Sequence, residues 1–150
     1  MKIYFSCSLT GGRKDEEVYA LIVDHLLAAG HEVLTAHLAR PEVMARERVV
    51  QPQEVFRRDV DWITQCDALV AEVSTPSHGV GYEIAFALGL GRPVLCCYHR
   101  GTSVSKMILG NDSPTLRVVD YQQGSDLPEK IDGFLADCPP RAGRPPEPNP

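Results

Sequence analysis

The chain has 150 residues and a formal charge of −5, with 43% hydrophobic and 23% charged residues, the composition of an ordinary globular chain with room for one core. That balance excludes a disordered or fibrous protein, and with no cluster of Lys and Arg it argues against a nucleic-acid polymer as partner. No apolar run approaches the roughly 18 residues of a membrane helix, so no membrane is expected either. The opening Met1-Lys2-Ile3-Tyr4-Phe5 turns polar at Ser6, too soon for a signal-peptide core. The five cysteines (Cys7, Cys66, Cys96, Cys97, Cys138) contain no C-x-x-C pair. They suit neither a zinc site nor a disulfide framework, and predict reduced thiols in a cytoplasmic protein, or a nuclear one in a eukaryote.

In chain order, Lys2 to Leu9 reads as a strand ending in Thr10-Gly11-Gly12. Asp15-Glu16-Glu17 open a helix whose apolar face is Val18, Leu21, Ile22, His25, Leu26 and Ala29, and Gly30 stops it. Glu32 to Leu38 reads as a second strand with His37 at its end. After an irregular stretch from Ala39 to Pro52, a helix over Gln53 to Gln65 carries the stripe Phe56, Val60, Ile63. Ala68 to Val73 is an apolar strand, broken by Ser74-Thr75-Pro76-Ser77-His78-Gly79, and Val80 to Leu90 is the next helix. A strand Val94 to Tyr98, a short helix near Ser103 to Leu109, a strand Leu116 to Tyr121 and a helix Leu127 to Ala136 follow. The alternation predicts an α/β three-layer sandwich with about five mostly parallel strands, Rossmann- or flavodoxin-like, over residues 1–138. Six prolines among residues 139–150 predict a disordered tail.

Such sheets bind ligands beyond the carboxyl ends of their strands, which turns attention to three groups of residues. Ser8 to Arg13 leads from strand to helix, with glycines that let a backbone approach an anion, helix N–H groups to bind it, and Arg13 to add charge; a plain tight turn is the bland alternative. Ser77-His78-Gly79-Val80-Gly81-Tyr82-Glu83 repeats the strand-to-helix pattern. It places Glu83 in a first helical turn, where the helix dipole favours the ionised carboxylate. A Glu that merely serves its own helix start is an equal reading. Asp59 lies beside the apolar stripe of its helix, where a carboxyl is costly without a partner or a job, whereas Asp61 falls on the exposed side. Two carboxylates about 5 Å apart could divide the work of a retaining glycosidic cleavage. His37 sits near the same edge, as a ligand contact or a surface group. His25, His31 and His99 lack metal-ligand spacing, and no metal or other cofactor is expected. Trp62 and Tyr19 read as packing groups. Cys7 and Arg13 stand at the spacing of a tyrosine-phosphatase loop, but Lys14 replaces the usual hydroxyl residue and no Asp-Pro acid loop follows.

Together, Tyr4 to Arg13, Val33-Leu34-Thr35-Ala36-His37, Asp59-Val60-Asp61-Trp62 and the block Ala71 to Glu83 resemble the 2'-deoxynucleoside 5'-phosphate N-hydrolases of the nucleoside 2-deoxyribosyltransferase superfamily. The resemblance spans nearly all of residues 1–138. It implies cleavage of the base–deoxyribose bond of a nucleoside monophosphate to free base and 2-deoxyribose 5-phosphate. In that reading Glu83 is the nucleophile of a covalent sugar intermediate, Asp59 the general acid/base and Tyr4 the group that orients the nucleophile. Ser8, Gly11, Gly12, Arg13, Ser77 and Gly79 surround the phosphate, Ser105 reaches it from the other subunit of a homodimer, and Ile22 and His37 lie near the base. Thr10 stands where mammalian members resembling this chain carry arginine, which bears on phosphate affinity. Alternatives on the same residues are deoxyribosyl transfer between bases, cleavage of a ribonucleotide such as CMP, a nucleotide-binding module without catalysis, and the Cys7/Arg13 phosphatase.

Overall fold

A computed structural model describes residues 1–9, 14–40, 43 and 49–139. Five strands, β1 (Lys2–Ser6), β2 (Glu32–Val33), β3 (Ala68–Glu72), β4 (Val94–His99) and β5 (Leu116–Tyr121), form one sheet in the order β2-β1-β3-β4-β5. Every pairing is parallel, as the Val/Leu-rich strand runs predict. Helices α1 (Glu16–Ala28), α2 (Pro52–Gln65), α3 (His78–Gly89), α4 (Lys106–Leu109) and α5 (Leu127–Ala136) complete the sandwich, with 3-10 turns at Ala36–Ala39 and Gly124–Asp126. None of the described helices is long and apolar enough to cross a membrane.

Strand alternation sends successive side chains to opposite faces, and two cores result. On one face Ile3, Phe5, Val70, Leu95, Cys97 and Tyr121 pack under α1 (Tyr19, Ile22, Val23, Leu26) and α5 (Leu127, Ile131, Phe134, Leu135). On the other, Tyr4, Leu69, Ala71, Val94 and Cys96 pack under Ile63 of α2 and Val80, Ile84 and Ala87 of α3. No disulfide joins the five cysteines, four of which are buried. Gly30, at φ +81°, ends α1 as expected.

Three local expectations are corrected. The face of α1 turns toward Tyr19 and Val23, and His25 lies at its margin, bonded to Asp132 at 2.7 Å. In α2 the inward residue is Ile63, while Phe56 is 54% exposed against the ring of Tyr82. The second strand is two residues long instead of seven. After Leu34 donates its N–H to the Ile3 carbonyl, the buried Thr35 hydroxyl accepts from Phe5 N at 2.8 Å and donates to Phe5 O at 2.7 Å. One side chain thus meets both backbone groups that a longer β2 would pair, and the chain turns into the 3-10 segment that carries His37. Replacing Thr35 with Val leaves both Phe5 groups buried and unpaired. Urea unfolding of Thr35→Val is expected to show a loss of about 2 kcal/mol at unchanged m-value.

Candidate active site

The strand order reverses between β1 and β3, the crevice where doubly wound sheets take ligands. Tyr4 and Ser6 lie two residues apart on β1 and therefore point to the same face. The Tyr4 hydroxyl donates to Glu83 Oε1 at 2.9 Å, and the Ser6 hydroxyl donates to Glu83 Oε2. Each carboxylate oxygen of Glu83 is thus held by a β1 hydroxyl. Ser6 was not singled out from sequence, although the period of the strand pairs it with Tyr4.

Glu83 sits in the second turn of α3, not the first, because Ser77 caps the helix at His78: its Oγ accepts from Val80 N at 3.5 Å. The expected dipole-favoured ionisation is therefore corrected. Burial raises the Glu83 pKa to about 7, opposed by the Ser6 and Tyr4 hydrogen bonds; Asp59 raises it further and Arg58 lowers it. Tyr4 is fully buried, and burial, then the charges of Glu83 and Asp59, push its pKa far up, so it stays a proton donor in its bond to Glu83. These couplings place Asp59, Arg58, Tyr4 and Glu83 in one electrostatic neighbourhood. Asp59, with its side chain 19% exposed, accepts from Arg58 Nε at 2.8 Å. Arg58 lies 5.0 Å over the Trp62 ring, and His37 meets that ring edge-on at 5.8 Å. Arg58 is a second residue that sequence reading missed; only its place next to Asp59 pointed to it.

The remaining expected site residues separate. Ser8 is fully buried, and its Oγ has no partner among the described residues. Ser77 and Ser105 line one groove of about 620 Å³ between α3 and the segment before α4, together with His78, Gly81 and Met107. Ser105 caps α4 by accepting from Met107 N at 3.3 Å. Gly79 lies in the first turn of α3, where an added Cβ would meet only Ser77 Oγ at 3.8 Å. Ile22 is not brought to this site: it is fully buried in the α1 core, on the sheet face opposite Tyr4. Cys7 packs in that same core at 6% exposure, a placement that does not suit an attacking thiolate. Gly11, Gly12 and Arg13, with Thr10, lie outside the described residues, as do residues 140–150 of the expected tail.

A second buried carboxyl lies across the sheet. Glu72, at the end of β3, has its pKa raised by burial. Its Oε1 accepts from Tyr121 OH at 3.0 Å, from Ser74 N at 3.2 Å and from the Ser74 hydroxyl, which in turn accepts from His99 N at 2.7 Å. The loop leading to Ser77 and α3 is thereby tied to the ends of β4 and β5.

A flavodoxin-like strand order with a held carboxylate at its switch point makes this an α/β doubly wound protein whose candidate site lies where such sheets take ligands. Residues 3–125 match the family model described as Nucleoside 2-deoxyribosyltransferase, and the chain belongs to that family. It is 43% identical over 133 residues to a Methanosarcina mazei protein that carries the provisional name 2'-deoxynucleoside 5'-phosphate N-hydrolase 1, covering 89% of this chain and 83% of that one. It is 41% identical over 127 residues to the 5-hydroxymethyl-dUMP N-hydrolase of Rattus norvegicus, covering 81% and 77%. Among solved structures, a CMP N-glycosidase of Clostridium botulinum superposes with a TM-score of 0.66 at 17% identity, over 88% of this chain and 99% of that one, a likeness of fold.

The raised Glu83 pKa has a consequence for stability. Because the folded value of about 7 lies above the ordinary 4.5, the folded state holds this proton more tightly, and its stability falls as pH rises from about 4.5 to about 7. Glu83→Gln removes that ionisation. At pH 8 urea unfolding is expected to give the variant about 3 kcal/mol more stability than the native protein, with the gap closing below about pH 4.5.

Proposed function

We propose that this protein hydrolyses the N-glycosidic bond of 2'-deoxynucleoside 5'-monophosphates, releasing free base and 2-deoxyribose 5-phosphate. The observation that carries the reading is the Glu83 carboxylate, desolvated and gripped on both oxygens by Tyr4 and Ser6, with Asp59 in its electrostatic field. Supporting it are the family membership and the N-hydrolase names of relatives at about 40% identity.

In the proposed course, ionised Glu83 attacks the anomeric carbon while the carbon–nitrogen bond breaks and protonated Asp59 gives its proton to the leaving base. The resulting carboxylate of Asp59 then takes a proton from water, whose oxygen attacks the same carbon and frees Glu83. The transition state has oxocarbenium character, which a carboxylate fixed beside it stabilises. Tyr4 and Ser6 aim the lone pairs of Glu83 and keep the carboxylate from turning away. Ser8, Gly11, Gly12, Arg13, Ser77 and Gly79 form the phosphate cradle, anchoring the sugar by its remote end, and the buried Ser8 hydroxyl suits such a contact. His37 stands on the base side, next to Trp62. The chemistry assigns no part to a metal or other cofactor.

We further propose a homodimer in which Ser105 enters the phosphate site of the second copy. Its support is exposed apolar surface on this part of the fold: Met107, in the Ser77–Ser105 groove, is 84% exposed, and Tyr82, on α3 against Phe56 and Phe86, is 51% exposed. Sedimentation is expected to give the mass of two chains, and Met107→Glu to give that of one, with raised KM for nucleotide. A native monomer would remove Ser105 from the phosphate site.

The activity itself is tested by chromatography of free base after incubation with deoxynucleoside monophosphates, ribonucleoside monophosphates and unphosphorylated deoxynucleosides, with and without an acceptor base. Release confined to the deoxynucleoside monophosphates is expected. Exchange of bases without phosphate would instead make the protein a transferase, CMP cleavage a ribonucleotide glycosidase, and release of phosphate alone a phosphatase. Glu83→Ala should lower turnover ~10³-fold or more with nucleotide binding kept, and Asp59→Asn by ~10²–10⁴-fold. Binding without any turnover in the native protein would refute the hydrolase.

A further inference from the structure

The geometry points to Arg58 as a positioning residue that, seated on the Trp62 ring, fixes the Asp59 carboxylate and balances the charge of the Asp59–Glu83 pair. This rests on the N-hydrolase reading and assigns a part to a residue outside the set derived from the family resemblance. On a helix, neighbours in sequence diverge by about 100° and do not normally meet; residues four apart do. Arg58 and Trp62 are four apart, and the guanidinium lies 5.0 Å over the indole centroid, within cation–π range. From there its Nε reaches Asp59 Oδ1 at 2.8 Å. Both side chains are mostly withdrawn from water, at 24% and 19% exposure, so the pair has little freedom to trade partners with solvent. His37 braces the same indole edge-on at 5.8 Å.

The arrangement has an electrostatic reason. Two carboxylates near one sugar repel when both are ionised, and each raises the other's pKa. The groups that act on Glu83 are Tyr4 and Ser6 from β1 and Arg58 and Asp59 from α2; of the two charged ones, Asp59 raises its pKa and Arg58 lowers it. The same opposition acts on Tyr4. Arg58 therefore lets Glu83 ionise beside a second acid. A lysine would supply the charge but neither the flat face nor the Nε edge.

The test compares pH profiles of kcat and kcat/KM for the native protein, Arg58→Gln, Arg58→Lys and Asp59→Asn, with acrylamide quenching of Trp62, the sole tryptophan. Arg58→Gln is expected to move both limbs of the bell upward by ~0.5–1 pH unit. It should also lower kcat at pH 7 about tenfold with little change in KM, and make Trp62 more readily quenched. Arg58→Lys should return the limbs close to their native positions while kcat stays several-fold low. Limbs that stay in place in Arg58→Gln, or a Trp62 no easier to quench, would overturn the role of Arg58 even if the rate falls. Should Arg58→Gln fail to fold, Arg58→Lys decides by its plateau and its quenching: native values in both refute the proposal. Full activity in Asp59→Asn would instead refute the assignment of Asp59, separating the two failures.

Discussion

A carboxylate taken out of water and gripped on both oxygens by hydroxyls is the constraint around which this crevice is built. Burial alone would leave Glu83 protonated at neutral pH, which the proposed nucleophile could not tolerate. Two hydroxyls from β1 and the guanidinium of Arg58 work against burial, and the balance settles at about 7. In the proposed mechanism, an acid poised there holds negative charge against a developing oxocarbenium ion without being so well solvated that it loses reactivity. The parallel sheet makes this arrangement reproducible. Tyr4 and Ser6 are fixed by the pairing of β1 with β3, opposite Leu69 and Ala71, and Glu83 by a helix whose first turn is capped. Neither partner depends on a loop conformation to find the other.

The same constraint explains why the two sides of the sheet differ. The α1 and α5 side is an apolar core interrupted at the carboxyl edge by Glu72, whose carboxyl is wrapped by Ser74 and Tyr121. The α2 and α3 side carries Tyr4, Asp59, Arg58, Trp62 and Glu83, and its helices bury less: of α2 only Ile63 is fully withdrawn from water. Polar groups on the inward face of a helix weaken its packing, and in the proposed mechanism these are groups the reaction uses.

Much of the architecture was legible because hydrophobic period and turn residues agree along most of the chain. β5 and α5 have the bounds read from sequence, and β3 falls one residue short. The misreadings have local causes. The apolar run after Glu32 looked like a strand, yet Thr35 satisfies the backbone of β1 with its side chain and ends the pairing. Phe56 looked like the centre of a stripe, but α2 turns Asp59 and Trp62 inward and leaves that ring against Tyr82. In the site, Tyr4, Asp59 and Glu83 come from three distant segments, and the family resemblance, not their spacing, named them together. Ser6 and Arg58 were hidden in plain residue types beside those already noticed. Ile22, which only the family resemblance places near a base, lies in the α1 core on the sheet face opposite Tyr4.

The brevity of β2 matters beyond the geometry of the site. An outermost strand with a long row of open amide and carbonyl groups invites another chain to extend the sheet, the first step toward amyloid-like stacking. Here that margin offers two paired residues and then a threonine whose hydroxyl occupies the neighbouring backbone. A single side chain closes that stretch of the border to strangers and, in the same move, releases the polypeptide into the turn that sets an imidazole against the Trp62 ring.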